Sequence, residues 1–136
     1  YFSDKLHLPS GTAWVPAMLY QVKDKDLYVF ALGESCRPDV KSVLYKAPFH
    51  NVYADGKVCL GSAKVKQPEK KTYQSVMKYW EDMFWLSEFS HLVSGDNPTK
   101  TNINMLWKDM IEVQLPAFPF EELLAHDPKS VKILYE

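Results

Sequence analysis

Cysteine is scarce in this chain, with Cys36 and Cys59 the two instances among 136 residues. Two thiols are too few for a disulfide scaffold. With no CxxC spacing and no paired-histidine motif, the sequence offers no zinc site. A reduced, cytoplasmic chain with free thiols is the simpler expectation, and a Cys36–Cys59 bridge is the alternative. Surplus charge is also lacking: the formal net charge is -1, which argues against nucleic acid as the main partner, because duplex binding needs a strong basic excess. No stretch approaches the ~18 consecutive apolar residues of a membrane span. Internal repeats, low-complexity tracts and a signal-like start are missing too.

What is present is enough apolar material for one core. Hydrophobic residues make up 46% of the chain and aromatics 14%, which excludes a disordered composition. The length suits one compact domain. The expectation is a single domain over residues 1–136, and Tyr1 in place of an initiating Met suggests that it is the excised C-terminal part of a longer chain.

The first half reads as strands. Thr12 to Val22 is rich in Val, Trp, Leu and Tyr and ends at the charged turn Lys23-Asp24-Lys25-Asp26. Leu27 to Leu32 stops at Gly33, and Ser42 to Ala47 lies between Pro38 and Pro48. Short apolar runs separated by tight turns predict an antiparallel meander. The second half reads as helices. From Lys71, apolar residues recur at Tyr73, Val76, Met77, Trp80, Met83 and Phe84, the spacing of one helical face. That run predicts a helix to about Leu92, with Tyr73, Trp80 and Phe84 as a core stripe. A second helix is expected from Asn102 to Ile111, a short one over Phe120 to Ala125, and a weak strand or tail over Val131 to Tyr135. Strands followed by helices predict an α+β fold, an antiparallel meander with the helices on one face.

The segment joining the halves carries the chemistry. Within Asn51-Val52-Tyr53-Ala54-Asp55-Gly56-Lys57-Val58-Cys59-Leu60-Gly61, Asp55-Gly56 is a strong tight-turn signal. Such a turn folds the chain back and brings the Asn51 side near the Cys59 side. Taken singly, Cys59 between Val58 and Leu60 reads as a small buried hydrophobe, and Asn51 as a turn former.

Together they resemble the signature of ubiquitin-conjugating enzymes, in which a His-Pro-Asn triplet precedes a glycine turn, an aliphatic residue, the catalytic Cys and Leu. Asn51 and Cys59 have the family's separation, and Gly56, Val58 and Leu60 fall on matching positions. Pro48 to Val52 and Gly56 to Gly61 are similar to the bacterial branch that includes PRTRC system protein B, as is the helix expected over Phe84 to His91. The resemblance runs from about Trp14 to Ile111 and is tightest from Asn51 to Gly61. The chain departs from the pattern in three places. His50 stands where the triplet has Pro, no opening helix is visible before Thr12, and Lys64-Val65-Lys66 replaces the tryptophan region after the catalytic Cys.

The resemblance implies a conjugating transferase with a ubiquitin-conjugating-like fold. Cys59 would take a ubiquitin-like protein from a ThiF-type activating enzyme as a thioester and pass it to an amine, most often a lysine of a target protein. Asn51 would stabilise the oxyanion or shape the loop. His50 is a candidate general base or a structural donor to the loop, and Asp55 and Asp96 are further candidates for the base. Lys57, Lys64 and Lys66 would favour the thiolate or form an ordinary solvated face. The loop Ser94 to Pro98 would close over Cys59, and His91 would cap or pack near its helix end. No cofactor or metal is called for in this domain, and neither nucleic acid nor membrane is an expected partner. A bacterial setting associated with phage defence comes with the resemblance, as does a metallopeptidase that removes the modifier. Two rivals belong to other classes: a non-catalytic scaffold that binds a ubiquitin-like protein, and a cysteine hydrolase pairing Cys59 with His50 or His91.

Overall fold

A computed structural model describes residues 6–136; residues 1–5, part of the expected single domain, lie outside the described residues. Four antiparallel strands stand in chain order across one sheet: β1 (Met18–Lys23), β2 (Asp26–Leu32), β3 (Val43–Lys46) and β4 (Ala125–Ser130). Two helices, α1 (Tyr73–Leu86) and α2 (Ile103–Asp109), fall between β3 and β4 in sequence. The α+β class and the meander are those read from the sequence.

The β1–β2 hairpin closes through Asp24 and Lys25, both at positive φ (52° and 72°). That is the two-residue turn whose twist matches the strands it joins. β1 begins at Met18, opposite Ala31, rather than at Thr12. Pro16 has no backbone N–H to give a ladder, and Ala17 contributes its carbonyl to Leu32 N instead.

β2 is one of the two inner strands, and alternate residues leave it on opposite faces. Leu27, Val29 and Ala31 join the main core with Phe84, Ile103, Leu106 and Trp107 from the helices. Phe30 and Leu32 pack on the other side with Leu44 and Val131. The helices therefore lie on one face, and a 3₁₀ turn at Val131–Tyr135 covers part of the other. This turn replaces the weak strand or tail expected there. The short helix expected at Phe120–Ala125 is a single 3₁₀ turn, Phe120–Glu122, that leads into β4. β4 carries Pro128 within Ala-His-Asp-Pro-Lys-Ser, which an edge strand tolerates.

α1 starts at a reciprocal cap. Thr72 Oγ1 accepts from Ser75 N at 3.2 Å, and Ser75 Oγ accepts from Thr72 N at 2.9 Å. It ends at Leu86, six residues before the expected Leu92, because Ser87 turns extended while its N–H reaches back to Phe84 O. Phe89 is buried from outside the helix. The expected core stripe also needs correction. Phe84 is fully buried and Trp80 half-buried, but Tyr73, in the first turn of α1, is 77% exposed. α2 is capped by Asn102 and runs on as one wide π turn, Met110–Gln114.

Candidate active site

Asn51 and Cys59 meet across a narrow turn. Tyr53 N donates to Lys57 O at 2.8 Å, and Gly56 N donates to Tyr53 O at 2.9 Å. Val52 and Val58 pair as an antiparallel bridge. One step further on, Cys59 N donates to Asn51 O at 2.7 Å. Gly56 sits at φ 90°, and a Cβ there would stand 2.4 Å from Phe30 Cε1, so the turn needs glycine for both its φ and the close approach of Phe30. Asp55 Oδ1 accepts from Lys57 N at 3.0 Å, which tightens the same corner.

The sheet holds this turn. Val58 N donates to Leu27 O at 2.8 Å and Val29 N to Gly56 O at 2.9 Å, so one arm runs alongside β2. Val52 and Val58 are buried at 5% exposure each. They anchor the turn by its apolar side and leave Cys59 half-buried with a free thiol. The fold-back expected from Asp55-Gly56 is therefore present, with the amide residue and the thiol residue joined through their main chains.

The side chains divide. Asn51 is buried, and its Nδ2 donates to Ser87 Oγ at 2.7 Å. His50 is buried too, and its Nε2 lies 2.6 Å from Asn104 Oδ1 at the start of α2. Burial lowers its pKa, and the Asn104 bond works weakly against that shift. Its carbonyl accepts from Val93 N at 2.9 Å, and Trp107 Nε1 donates to Pro48 O at 2.8 Å. Between them, Phe49 packs against Phe84, Trp85, Phe89 and Trp107. The stretch from Pro48 to Asn51 is thus clamped from both helices.

Two residues near the site escaped the sequence reading. Tyr53 is one. Its side chain stands near Cys59, and the negative charge of a thiolate there pushes the phenol up from its usual range. Tyr53 is 42% exposed, so it reaches solvent next to the sulfur. Two-residue alternation from Asn51 was the available signal, because positions 51 and 53 share a side of an extended segment. Ser87 is the other, and no local signal marks it, because its partner Asn51 lies 36 residues away in sequence.

Several further expectations are met differently. Lys57 Nζ pairs with Asp26 Oδ2 at 2.7 Å and Lys66 Nζ with Glu69 Oε1 at 3.0 Å, which gives both cations local acidic partners. In the Ser94–Pro98 loop, Ser94, Asp96 and Pro98 line a small cleft with Val52, Tyr53, Ala54 and Gly56 of the turn. His91 is exposed and within 3.0 Å of Ser90 Oγ. Among the described residues, no helix is long and apolar enough to cross a membrane.

A meander with two helices on one face, and a half-buried cysteine tied across a glycine turn to a buried asparagine, define a conjugating-enzyme-like domain. A model of prokaryotic E2 family D matches residues 1–126, and the chain belongs to that family. No curated protein and no solved structure matches it. Membership brings the general partnership of E2-like proteins with ubiquitin-like proteins and their activating enzymes.

Proposed function

We propose that Cys59 accepts a ubiquitin-like protein as a thioester and transfers it to an amine, usually a lysine of a target protein. The observation that carries this reading is the main-chain bond from Cys59 N to Asn51 O at 2.7 Å, made across a turn that leaves the thiol half-buried beside Tyr53. In the first step the Cys59 thiolate attacks the carbonyl carbon of the thioester on a ThiF-type activating enzyme. A C–S bond forms to Cys59, and the bond to the activating enzyme's sulfur breaks. In the second step the acceptor amine attacks, the C–N bond forms, the Cys59 sulfur leaves and the nitrogen loses its proton. ATP chemistry stays with the activating enzyme, and no step here runs through a cofactor.

Asn51 serves the tetrahedral stage of the second step. Its Nδ2 carries one hydrogen toward Ser87 and has a second, which we assign to the oxyanion. His50 is better suited to anchoring than to base catalysis, because its ring is buried and bonded to Asn104. The phenol of Tyr53, held up by the adjacent sulfur, remains a neutral donor beside Cys59. The free thiols support a reducing, cytoplasmic setting. The segment Pro48 to Gly61 supports placement in the branch of PRTRC system protein B. A role in phage defence follows from that placement, and a plaque assay with Cys59→Ala tests it.

Single-turnover kinetics separate the roles. Asn51→Ala should slow discharge to free lysine by ~10²–10³ while loading falls much less. Equal losses in loading and discharge would make Asn51 purely a holder of the loop. Modifier binding without any thioester would favour the scaffold, and release of free modifier without amine transfer would favour the hydrolase.

A further inference from the structure

Ser87 is fully buried at the point where α1 stops. Its hydroxyl has one proton, which it donates to Phe84 O, so toward Asn51 the same oxygen can only accept. That polarity fixes which end of the Asn51 amide faces it: Nδ2 turns to Ser87 and Oδ1 turns away. Oδ1 is buried and has no hydrogen-bond partner among the described residues, so the side chain is held by the Ser87 bond alone. Phe84, which receives the Ser87 proton, is itself immobilised by ring contacts with Tyr20, Phe49, Trp85 and Phe89. A continuous connection therefore runs from the packed end of α1 through Ser87 to the Asn51 side chain, and from the Asn51 main chain to Cys59 N.

We propose that Ser87 is a positioning residue for transfer from Cys59, setting the orientation of the Asn51 amide and, through it, the loop that carries the thiol. This assignment rests on the thioester chemistry proposed for Cys59. Precision at a reacting centre depends on the groups that hold its side chains in one rotamer. An alanine at 87 removes the acceptor and leaves the Asn51 amide without a partner at either end.

The test loads wild-type protein and variants with the activating enzyme and ubiquitin-like protein of the same host and Mg-ATP, then chases with free lysine. Ser87→Ala should discharge about tenfold more slowly, the equivalent of one net hydrogen bond. The double variant Ser87→Ala/Asn51→Ala should be no slower than Asn51→Ala alone, because the serine acts through the asparagine. Wild-type discharge in Ser87→Ala, or losses that multiply in the double variant, would overturn the assignment. If wild-type protein never loads, the thioester reading has failed, and Ser87 is judged separately by NMR of the Asn51 side-chain amide. One Nδ2 proton should exchange slowly in wild-type protein and fast in Ser87→Ala; fast exchange in wild-type protein, or equal exchange in both, overturns the positioning role. Should Ser87→Ala not fold, the wild-type exchange rate decides the matter alone.

Discussion

Gly56→Ala is the substitution on which the geometry of the turn is most exposed. Two costs add at this position. An L side chain at φ 90° is strained by about 1–2 kcal/mol. The new Cβ would also stand 2.4 Å from Phe30 Cε1 and 2.7 Å from Cζ. The Phe30 ring has little room to yield: it is 3% exposed and meets His126 edge-on at 5.0 Å. Overpacking of this kind costs about 1–3 kcal/mol, so the variant should lose about 2–5 kcal/mol of a stability that for most domains is about 5–15 kcal/mol. Gly61→Ala is the control, since Gly61 has φ 57° and nothing within 4 Å of a built Cβ; it should show the backbone cost alone, about 1–2 kcal/mol. Urea unfolding of both, with m unchanged, measures the difference. Equal midpoint shifts for the two variants would refute the close packing of Phe30 under the turn. Gly56→Ala should also load more slowly than Gly61→Ala, because the displaced turn is the one that joins Asn51 to Cys59.

Two further predictions concern the clamp around Pro48 to Asn51. Burial depresses the folded-state pKa of His50, so protonation favours the unfolded chain. Above pH ~6.5, the ordinary value for histidine, the ring is neutral in both states and stability is unaffected. As pH falls through that value the unfolded chain takes up a proton that the folded one resists, and stability declines until the folded pKa is passed. His50→Gln should therefore show a shallower loss of urea midpoint between pH 7.5 and 5, and identical slopes would contradict the buried neutral ring. Trp107→Phe keeps most of the ring but removes the indole N–H that Pro48 O accepts at 2.8 Å. The buried carbonyl is then left short of a donor, at a cost of about 1–3 kcal/mol in unfolding free energy; a change within error would argue that another donor takes over.

The first three strands and the site loop were legible because their causes are local. β2 shows its apolar run and the first hairpin its charged two-residue turn, and Asp55-Gly56 announces the fold-back that joins Asn51 to Cys59. What escaped depends on contacts distant in sequence. β4 has no apolar alternation in Ala-His-Asp-Pro-Lys-Ser and exists because it pairs with β3, some eighty residues earlier. The apolar rhythm of α1 continues past Leu86, yet the helix stops where Ser87 is engaged by Phe84 and by Asn51 from the site loop. Periodicity placed Tyr73 in the core because it reports a face of the helix and not whether that face is covered at every turn. The buried roles of His50 and Asn51 likewise follow from Asn104 and Ser87, partners that spacing around the cysteine does not reveal.

The thioester itself is the most direct test of the account. Wild-type protein, Cys59→Ala and Cys36→Ala would each be incubated with the cognate activating enzyme, ubiquitin-like protein and Mg-ATP, and read by intact mass and non-reducing gels. The predicted result is a reductant-sensitive adduct, of the modifier mass less one water, in wild-type protein and Cys36→Ala and its loss in Cys59→Ala. An adduct that survives Cys59→Ala, or no adduct in wild-type protein that still binds the modifier, would contradict Cys59 as the carrier.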